Sequence, residues 1–576
     1  MKNELSCAKI LFKGVGVMYN SFSGHLPRNG HTEKLIAGVR DAADKYIGTP
    51  IKALKYSLYA EGLRTGERPN FEAEYIEHRR RLNAFLVMTL YEDNDVYLKE
   101  LEDIIWAICD EFAWCIPAHA HISKCENIQD YVTTIDLFAS ETAFYLSEAV
   151  YLTKNRISKM VYDRVEFEIR RRIVNPYMNN DIQWVKNNWS AVCPAGVAAA
   201  MIYLGMDEEL NTALPRLEES VADFLDSYEN DGCCMEGALY WMYGFGFFCY
   251  YARLLREYTN GKTDYFKNPK VKNIAGFGQN MYIGENNTVP FSDAPHELSF
   301  NIGLFMFLSE EYGYSIPPEK YENLFDDDLR YRMCNMLRDF YWYDENKAKQ
   351  GIDDTGYTFY TDSMWYINKK SGYAFAAKGG CNAEPHNHND LGSFIFYSGG
   401  KYIIDDMGWP VYERDYFNKS VRYKKNLCAS ARGHNLPQPC DYEQIPGESG
   451  TARVLRADES VFELDLSGAY NANRIVRRFE LNENGIEITD EFSEDIRERL
   501  VTRIKPQLSG GGSNQYVMID GRKIECPEAC GIKISEESFR PRNNIVKSSM
   551  KDLETAYLID FILKPNQRSA KIIITK

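Results

Sequence analysis

The sequence has neither a long apolar run nor a leader-like start. We find no apolar stretch of the roughly 18 residues that a membrane helix needs. The first segment, MKNELSCAKILFKGVGVMYN, has no sustained apolar core of the kind that marks a signal peptide. These absences predict a protein that does not span a membrane. The expected compartment is the cytoplasm, or the periplasm if a leader has been removed.

An excess of positive charge is also missing. The formal net charge is −16, from 67 Lys and Arg against 83 Asp and Glu. A nucleic-acid partner requires a basic footprint on the protein surface, so the balance argues against one. An acidic glycan is not excluded, because it needs only a local basic cleft. The aromatic fraction of 14%, with 40 Tyr, suits sugar binding but also ordinary core packing.

The fourteen cysteines lack the short, regular spacing of a disulfide framework. Cys233 and Cys234 are adjacent, which is too close for an ordinary bridge. Free thiols in a reducing compartment are therefore expected. Cys526 and Cys530 have a CxxxC spacing that could bind a metal, but no second Cys or His pair lies nearby.

The chain is too long for one hydrophobic core, and its texture changes near the middle. From about residue 30 to 335, apolar residues recur at helical spacing, without a short fixed repeat. Past about residue 355, short alternating stretches separated by Gly-Gly and Asn-Glu-Asn-Gly predict antiparallel hairpins. We therefore predict a helical domain over 1–350 and an antiparallel β-sandwich over 351–576. No low-complexity linker separates them, which predicts a packed interface with a cleft.

The densest polar cluster is the segment PHNHND, placed between two predicted strands. If it is extended, His386 and His388 point to the same face and Asn387 and Asn389 to the other. The next strand, KYIIDDMG, ends in Asp405 and Asp406 on opposite faces, and His434 follows in the loop RGHN. Two His and one carboxylate with an open position suit zinc. The alternative is that these are polar side chains of surface loops.

A second set of candidates lies in the helical half. Asn187, Asn188 and Trp189 begin a predicted helix, where capping explains one Asn but not obviously both. About 50 residues later, in the segment EGALYWMY, Glu236 and two Tyr fall at i, i+4 and i+7 of one predicted helical face. Such a stripe also occurs as ordinary packing. The two Tyr are Tyr240 and Tyr243.

Further polar candidates are two histidines and a basic run. His119 and His121 lie in the segment PAHAH, and Arg79, Arg80 and Arg81 are consecutive. A three-Arg run on a helix usually forms a solvated face, because consecutive residues diverge by about 100°. These side chains complete the polar candidates of the helical half.

Together, HNHNDLGSF, IIDDMG, GHN, NNW and EGALYWMY resemble the heparinase II/III-like polysaccharide lyases, and the resemblance covers most of the chain. It implies an (α/α) toroid joined to an antiparallel β-sandwich, with the active site between them. It also implies β-elimination on a uronic-acid glycan, such as hyaluronan, chondroitin, heparan or alginate. A structural zinc ion is implied as well, held by His388, Asp406 and His434.

The resemblance also implies roles for the other candidates. Asn188 would neutralise the uronate, with Asn187 one residue away, and His386 would face the substrate. Tyr243 would be the acid/base, with Tyr240 a near competitor. The remaining implied or nearby substrate contacts are Trp189, Glu236, His119, Arg80, Tyr416 and Tyr423. Where some relatives have Asn-His, this chain has Asn-Trp at 188–189, which leaves the syn or anti course of elimination open.

Two other functions stay open at this point. A glycoside hydrolase on the same toroid would need two carboxylates flanking the bond, and Glu236 with Asp231 or Asp293 is the available pairing. A catalytically inactive glycan-binding protein would keep the cleft and the zinc. The sequence does not indicate the sugar, the endo or exo mode, or the oligomeric state.

Overall fold

The computed structural model describes residues 25–65, 68–327, 332–348, 356–411, 416, 418–439, 443–511, 514–541 and 553–576, apart from the side chains at 121, 122, 419 and 420. Most of the predicted boundary between the helical and β regions, at 349–355, lies outside the described residues. No described helix is long and apolar enough to cross a membrane. The twelve described cysteines are all free thiols, in agreement with the expectation from their spacing.

The first part of the chain is helical, as the apolar periodicity predicts. Its helices are α1 (Gly30–Tyr46), α2 (Tyr56–Thr65), α3 (Pro69–Tyr91), α4 (Asp95–Asp110), α5 (Pro117–Ile122), α6 (Ile128–Thr133), α7 (Leu137–Leu152), α8 (Lys159–Ile169), α9 (Asn175–Asn179), α10 (Trp189–Tyr203), α11 (Asp207–Asp226), α12 (Ala238–Tyr258), α13 (Pro269–Met281), α14 (Ile302–Tyr312), α15 (Met333–Tyr341) and α16 (Glu345–Ala348). A two-stranded hairpin, β1 (Tyr282–Gly284) and β2 (Asn287–Thr288), interrupts this half.

Helices α7 and α10 form the centre of the helical half. Nearly all of their residues are buried, which is expected for helices that are apolar around the whole circumference. Helix α10 packs against α7, α11 and α12. Gly196 of α10 allows the close approach to α7, because a β-carbon there would lie 2.3 Å from the carbonyl oxygen of Ser140. The Asn pair, which immediately precedes α10, is thereby held next to α12.

The second part is antiparallel β structure with two short helices, α17 (Lys419–Lys425) and α18 (Ser467–Tyr470). Its strands are β3 (Gly356–Tyr360), β4 (Trp365–Lys370), β5 (Tyr373–Lys378), β6 (Cys381–Asn382), β7 (Phe394–Ser398), β8 (Lys401–Ile404), β9 (Pro437–Pro439), β10 (Gly447–Thr451), β11 (Arg453–Ala457), β12 (Val461–Asp465), β13 (Ile475–Asn482), β14 (Gly485–Phe492), β15 (Ile496–Thr502), β16 (Gln507–Ser509), β17 (Tyr516–Ile519), β18 (Arg522–Glu525), β19 (Ala529–Phe539), β20 (Glu554–Leu563) and β21 (Ser569–Thr575). They form an eight-stranded sheet (β11-β12-β13-β14-β21-β18-β17-β16), a five-stranded sheet (β3-β4-β5-β7-β8), a four-stranded sheet (β19-β20-β15-β9) and the pair β10-β6.

The five-stranded sheet joins the two halves. Along β7, Phe394 and Phe396 pack into the core of the β half, whereas Ile395 and Tyr397 belong to the core of the helical half. Because side chains alternate across a strand, both faces of this sheet are covered by apolar groups. The packed interface that the missing linker predicts is therefore present, and one face of this sheet lies against the helical half.

Three local predictions need correction. The segment PHNHND is irregular and not extended, and His386 has a left-handed backbone with φ of 54°. Glu236 precedes α12, which begins at Ala238. The Arg run is not a solvated face, because Arg79 and Arg81 are buried, and Arg79 makes a two-point ion pair with Glu111.

Candidate functional site

The two neighbouring Asn side chains at the start of α10 have different hydrogen-bond partners. The side-chain oxygen of Asn187 accepts a hydrogen bond from the backbone N–H of Trp189 at 3.0 Å, as a cap does. Asn188 makes no capping bond, and its amide instead donates to Glu236 Oε2 at 3.1 Å. A β-carbon on Gly244 would lie 1.9 Å from Asn188 Oδ1. Asn188 is thus pressed against α12 with its amide turned to the junction between the halves.

Glu236 and Tyr240 continue this surface along the start of α12. The chain enters the helix through Gly237, whose φ of 99° favours glycine. One turn later, the ring of Tyr240 lies 4.6 Å from the ring of His386, centroid to centroid. Burial raises the pKa of Glu236 above its usual range. Asn188, Glu236, Tyr240 and His386 all keep some solvent exposure, so this group is open to a ligand.

Tyr243, which the resemblance favours as the acid/base, lies in a different environment. Its hydroxyl donates to Glu141 Oε1 at 2.6 Å, and Arg332 Nε donates to the same oxygen at 3.1 Å. The Arg332 guanidinium also lies 4.2 Å from the centre of the Tyr243 ring. Tyr243 is therefore held by a buried carboxylate of α7, whereas Tyr240 contacts the histidine of the β half.

Behind the open group lies the buried carboxylate of Asp293. Its Oδ2 is 2.6 Å from His386 Nδ1, and its Oδ1 is 2.6 Å from the hydroxyl of Tyr416 and 3.2 Å from His388 Nε2. Burial acts to raise the pKa of Asp293, but the bonds from His386 and His388 outweigh it and hold the pKa well below its usual range. Asp293 thus remains an anion in the interior. Burial and this same anion raise the pKa of Tyr416.

A second buried group forms around His388 and His434. His434 Nε2 lies 2.8 Å from the carbonyl oxygen of Cys428, which can only accept, so Nε2 carries the proton. His434 Nδ1 then faces Asp406 Oδ2 at 3.0 Å. A neutral ring would present a lone pair to a carboxylate there, so the contact requires a cation, either a ring proton or a metal ion. Burial alone would lower the pKa of His434, but Asp406 raises it above the usual value.

His388 supplies a second buried lone pair. Its Nε2 faces the carboxylate of Asp293 and therefore carries the proton. Its Nδ1 is buried without a hydrogen-bond partner among the described residues, and the rings of His388 and His434 lie 5.4 Å apart. Asp390 completes the group, since one ligand atom from each of His388, Asp390 and His434 lies within 4.8 Å of the others.

This arrangement fits a metal ion. Two ligands of a tetrahedral zinc ion are about 3.3 Å apart, close to the 3.0 Å that separates His434 Nδ1 from Asp406 Oδ2. The orphaned Nδ1 of His388 would gain the partner that it lacks. Both oxygens of Asp390 are also buried without a hydrogen bond among the described residues, although Lys378 Nζ lies 3.0 Å away. The ligand set implied by the resemblance contains the two His and Asp406 but not Asp390.

One other described cluster has metal-ligand chemistry, formed by His31, Glu319 and Glu322 far from the groups above in sequence. Its carboxylates already have a cation, because Lys34 Nζ lies 2.7 Å from Glu322 and 3.5 Å from Glu319. Tyr343 also donates to Glu319 at 2.9 Å. The sulfurs of Cys526 and Cys530 belong to neither cluster.

Several predicted residues lie beside the site or apart from it. His119 is buried, bonds Asp136 through Nδ1 at 2.8 Å and packs 4.8 Å from the ring of Trp189. Arg80 donates to the backbone carbonyl of Asp327 at 3.2 Å. The side chain of His121 lies outside the described residues.

The remaining two candidates have structural partners. The Tyr423 hydroxyl donates to Asn387 Oδ1 at 3.0 Å and so supports the PHNHND segment from behind. Asp231 accepts bonds from the backbone N–H groups of Asp362 and Ser363, both at 2.9 Å. This carboxylate ties the helical half to the β half and is not available as a hydrolase acid or base.

Three groups were missed or misjudged from the sequence. Asp293 was considered only as a hydrolase carboxylate, and Glu141 and Arg332 were not singled out. All three are charged residues with several apolar neighbours, in the segments VPFSDAPHE, FASETAF and YRMCNML. The sequence marks each of them only as a charged residue at a position where burial is expected. A buried charge requires a partner of opposite charge or a hydrogen-bond partner. That signal does not say which partner, because the partners lie about 90 to 190 residues away.

Comparison with solved structures identifies the architecture. No protein-family model matches the chain, and no curated protein matches it in sequence. A structure of heparinase III superposes with a TM-score of 0.65 at 12% identity, covering 98% of this chain and 87% of that one. Heparan sulfate lyase HepC from Pedobacter heparinus gives 0.57 at 13%, covering 94% and 88%. Chondroitin AC lyase of Streptomyces coelicolor A3, solved with chondroitin sulphate, gives 0.54 at 8%, covering 95% and 79%. The predicted fold, an (α/α) toroid followed by antiparallel β-sheets, is confirmed.

Proposed function

We propose that the protein is a polysaccharide lyase that cleaves uronic-acid glycans by β-elimination. The observation that carries this proposal is the open group of Asn188, Glu236, Tyr240 and His386, where the toroid meets the five-stranded sheet. The similar structures include a heparan sulfate lyase and a chondroitin lyase bound to its substrate. They favour a glycosaminoglycan over alginate as the substrate class.

The residue types suit the chemistry of elimination. A lyase removes the proton on C5 of the uronate and expels the oxygen on C4, which leaves a C4–C5 double bond. Negative charge builds up on the carboxylate side of the sugar, so neutral donors are needed there. The Asn188 amide is such a donor. Glu236, whose pKa is raised by burial, can act as a second donor in its protonated form, because an approaching uronate further favours the neutral acid.

The contacts favour Tyr240 as the group that transfers the proton. It lies against His386, on the same side of α12 as Gly244 and Asn188. The hydroxyl of Tyr243 is bonded to Glu141, and a phenol that donates to a carboxylate is a poor base. Tyr243 remains the alternative, since Arg332 beside its ring is the cation that a reactive phenol requires.

The buried group fits zinc as a structural ion. His388 and His434 would bind it through Nδ1, and Asp406 through Oδ2, with Asp390 the nearest further carboxylate. When bound, the ion would supply positive charge that links the PHNHND segment, the end of β8 and the RGHN loop. His386 lies two residues from His388, so the link would also fix the substrate-facing side of the segment.

The test is the ultraviolet absorbance of the protein incubated with heparan sulfate, chondroitin, hyaluronan and alginate oligomers. Elimination creates a conjugated double bond that hydrolysis does not, so a rise in absorbance with one glycan establishes the reaction and names the sugar. New reducing ends without that rise would indicate a hydrolase. Binding of an oligomer with neither signal would indicate a glycan-binding protein and contradict the proposal.

The hydrolase alternative has little support in the geometry. Asp231 is used by the backbone of 362–363, which leaves Glu236 with Asp293. Burial and neighbouring bonds do push the pKa values of these two groups apart, as in an acid and base pair. However, Asp293 is fully buried behind His386 and Tyr416, so its carboxylate cannot reach a sugar or an attacking water.

A further inference from the structure

Asp293 contacts both the open group, through His386, and the buried metal-type group, through His388. It lies between β2 and α14, in a segment of the helical half that reaches the β half. Oδ2 bonds His386 Nδ1 at 2.6 Å, and Oδ1 faces His388 Nε2 at 3.2 Å. The side chain has no solvent exposure, and Arg422 Nη2 lies 3.6 Å from Oδ2.

The bonding fixes which nitrogen of each ring carries a proton. An ionised carboxylate only accepts hydrogen bonds. His386 must therefore carry its proton on Nδ1, and His388 must carry its proton on Nε2. The two histidines are held as opposite tautomers by the two oxygens of one side chain. His388 Nδ1 consequently presents a lone pair to His434 and Asp390, while His386 Nε2 is the nitrogen not bonded to Asp293.

Metal ligands of this kind usually donate their other ring N–H to a carboxylate, which sets the ring orientation and raises the basicity of the ligand. The same relation between an aspartate and a histidine orients catalytic imidazoles. Here both relations use the same carboxylate. The left-handed backbone at His386 is what turns two side chains separated by one residue toward opposite oxygens of Asp293, in place of the parallel arrangement of a strand.

We propose that Asp293 is a positioning residue that orients the substrate-facing His386 and the metal ligand His388 together, so that the state of the metal site and the geometry of the active site are set by one group. The proposal rests on the proposed function for the role of His386. It adds a physical link between the two histidines, because the Asp293 carboxylate cannot shift toward one ring without weakening its hydrogen bond to the other.

Asp293→Asn is the direct test, because an amide keeps the shape but offers one accepting oxygen and one donating nitrogen. Only one histidine can then keep its present tautomer. In an aspartate–histidine pair of a protease, this exchange costs about 10⁴-fold in kcat through the wrong tautomer. We expect a fall in kcat of at least about 100-fold with a small change in KM, together with reduced retention of zinc after dialysis.

A readout independent of activity is the protonation of the ring nitrogens in full-length protein labelled with ¹⁵N-histidine, reconstituted with zinc. Signals are assigned with His386→Ala and His388→Ala. In the unmodified protein we expect the proton on Nδ1 of His386 and on Nε2 of His388. In Asp293→Asn at least one of the two should change. The matched control is Asp231→Asn, which alters another carboxylate joining the two halves and should leave both histidine signals in place.

The outcomes separate the two proposals. A proton on Nε2 of His386 in the unmodified protein overturns the positioning role, and this measurement does not require any variant to fold. Unchanged tautomers and zinc retention in Asp293→Asn overturn it as well. If no glycan yields an unsaturated product, the proposed function fails, whereas the histidine signals and the zinc content still decide the role of Asp293.

Discussion

Asn188 Oδ1 occupies the space that a side chain on Gly244 would take, with 1.9 Å between that oxygen and an added β-carbon. The other end of the same amide donates to Glu236. The Asn188 amide is therefore held at its nitrogen by a hydrogen bond, and its oxygen lies against the α12 backbone at Gly244. A glycine inside a 21-residue helix costs roughly 1 kcal/mol relative to alanine, and the position of Asn188 is what this glycine permits.

Gly244→Ala is expected to displace Asn188 and lower kcat by about 10-fold or more, while the helix itself gains stability from the better helix former. Gly246→Ala is the matched control, because its β-carbon would meet Leu304 at an ordinary 3.5 Å. Steady-state kinetics on the glycan that gives unsaturated product, with thermal unfolding of both variants, provides the measurement. Equal kcat in the two variants would show that the amide does not need its present position.

Asn188→Ala and Asn187→Ala should separate catalysis from capping. In the proposed mechanism, removing the Asn188 amide deletes a donor to the developing charge, which costs about 10² to 10³ in kcat in comparable sites. Removing Asn187 deletes only the bond to the N–H of Trp189, which costs about 1 kcal/mol of stability. Kinetics and urea unfolding of both variants test this. A reversal of the two effects would assign the uronate contact to Asn187.

Tyr240→Phe is expected to abolish measurable elimination and leave the unfolding temperature nearly unchanged, because only the hydroxyl is lost from a partly exposed ring. Tyr243→Phe should instead reduce stability, since Glu141 loses the 2.6 Å bond from its hydroxyl and a buried carboxylate keeps fewer donors. Single-turnover absorbance traces on both variants discriminate between them. If Tyr243→Phe were inactive and Tyr240→Phe active, Tyr243 would be the group that transfers the proton.

The sequence predicted the classes of structure well where the pattern is local. The helical spacing before residue 335 and the alternating strands after 355 reflect which side of each element is buried, and this information lies within a few neighbouring residues. The bundle of α7, α10 and α12 was not predictable in the same way. Its contacts join segments up to about 100 residues apart, and the ring closure was implied by the resemblance alone.

Candidate side chains could be chosen from the sequence by residue type, but their arrangement in space could not be predicted. His386 and His388 do converge, as predicted, but on Asp293 and through a left-handed turn, not through the alternation of a strand. The alternation of side chains along a strand does not apply there, because the segment does not form a strand. The sequence also could not decide whether Tyr240 or Tyr243 faces the site, because this depends on which turn of α12 meets the β half.

Removal of the metal ion should lower the free energy of unfolding, and substitution of the few residues that would bind the ion should have the same effect. Zinc at 100 times its dissociation constant stabilises a folded site by about 2.7 kcal/mol, and a chelator should remove that contribution. His388→Ala and His434→Ala are expected to lose bound zinc, measured as metal per chain after dialysis. Cys530→Ser is the control, because that exposed thiol belongs to neither described metal-type cluster. Full zinc content in His388→Ala would place the ion elsewhere.

A buried ion pair in the helical half gives a prediction for pH. Arg79 contacts both oxygens of Glu111, at 2.5 and 2.8 Å, and His78 Nδ1 lies 2.7 Å from Oε1. Burial acts to raise the pKa of Glu111, but Arg79 and His78 outweigh it and lower the pKa below its usual 4.5. A depressed carboxylate pKa contributes stability that is present above pH 4.5 and is lost as the pH falls through the folded value.

Glu111→Gln should therefore lower the free energy of unfolding by about 3 to 5 kcal/mol at pH 7, because it leaves the Arg79 guanidinium buried without its counter-charge. The difference from the unmodified protein should shrink as the pH falls below 4.5, since Glu111 of the unfolded chain then takes up a proton and the folded protein does so only at a lower pH. Urea unfolding followed by tryptophan fluorescence at pH 7, 5 and 3.5 measures this trend. Asp163→Asn, which breaks an exposed pair with Lys159, is the control and should change stability by less than about 1 kcal/mol at every pH. A pH-independent penalty in Glu111→Gln would mean that the loss comes from packing and not from the charge of Glu111.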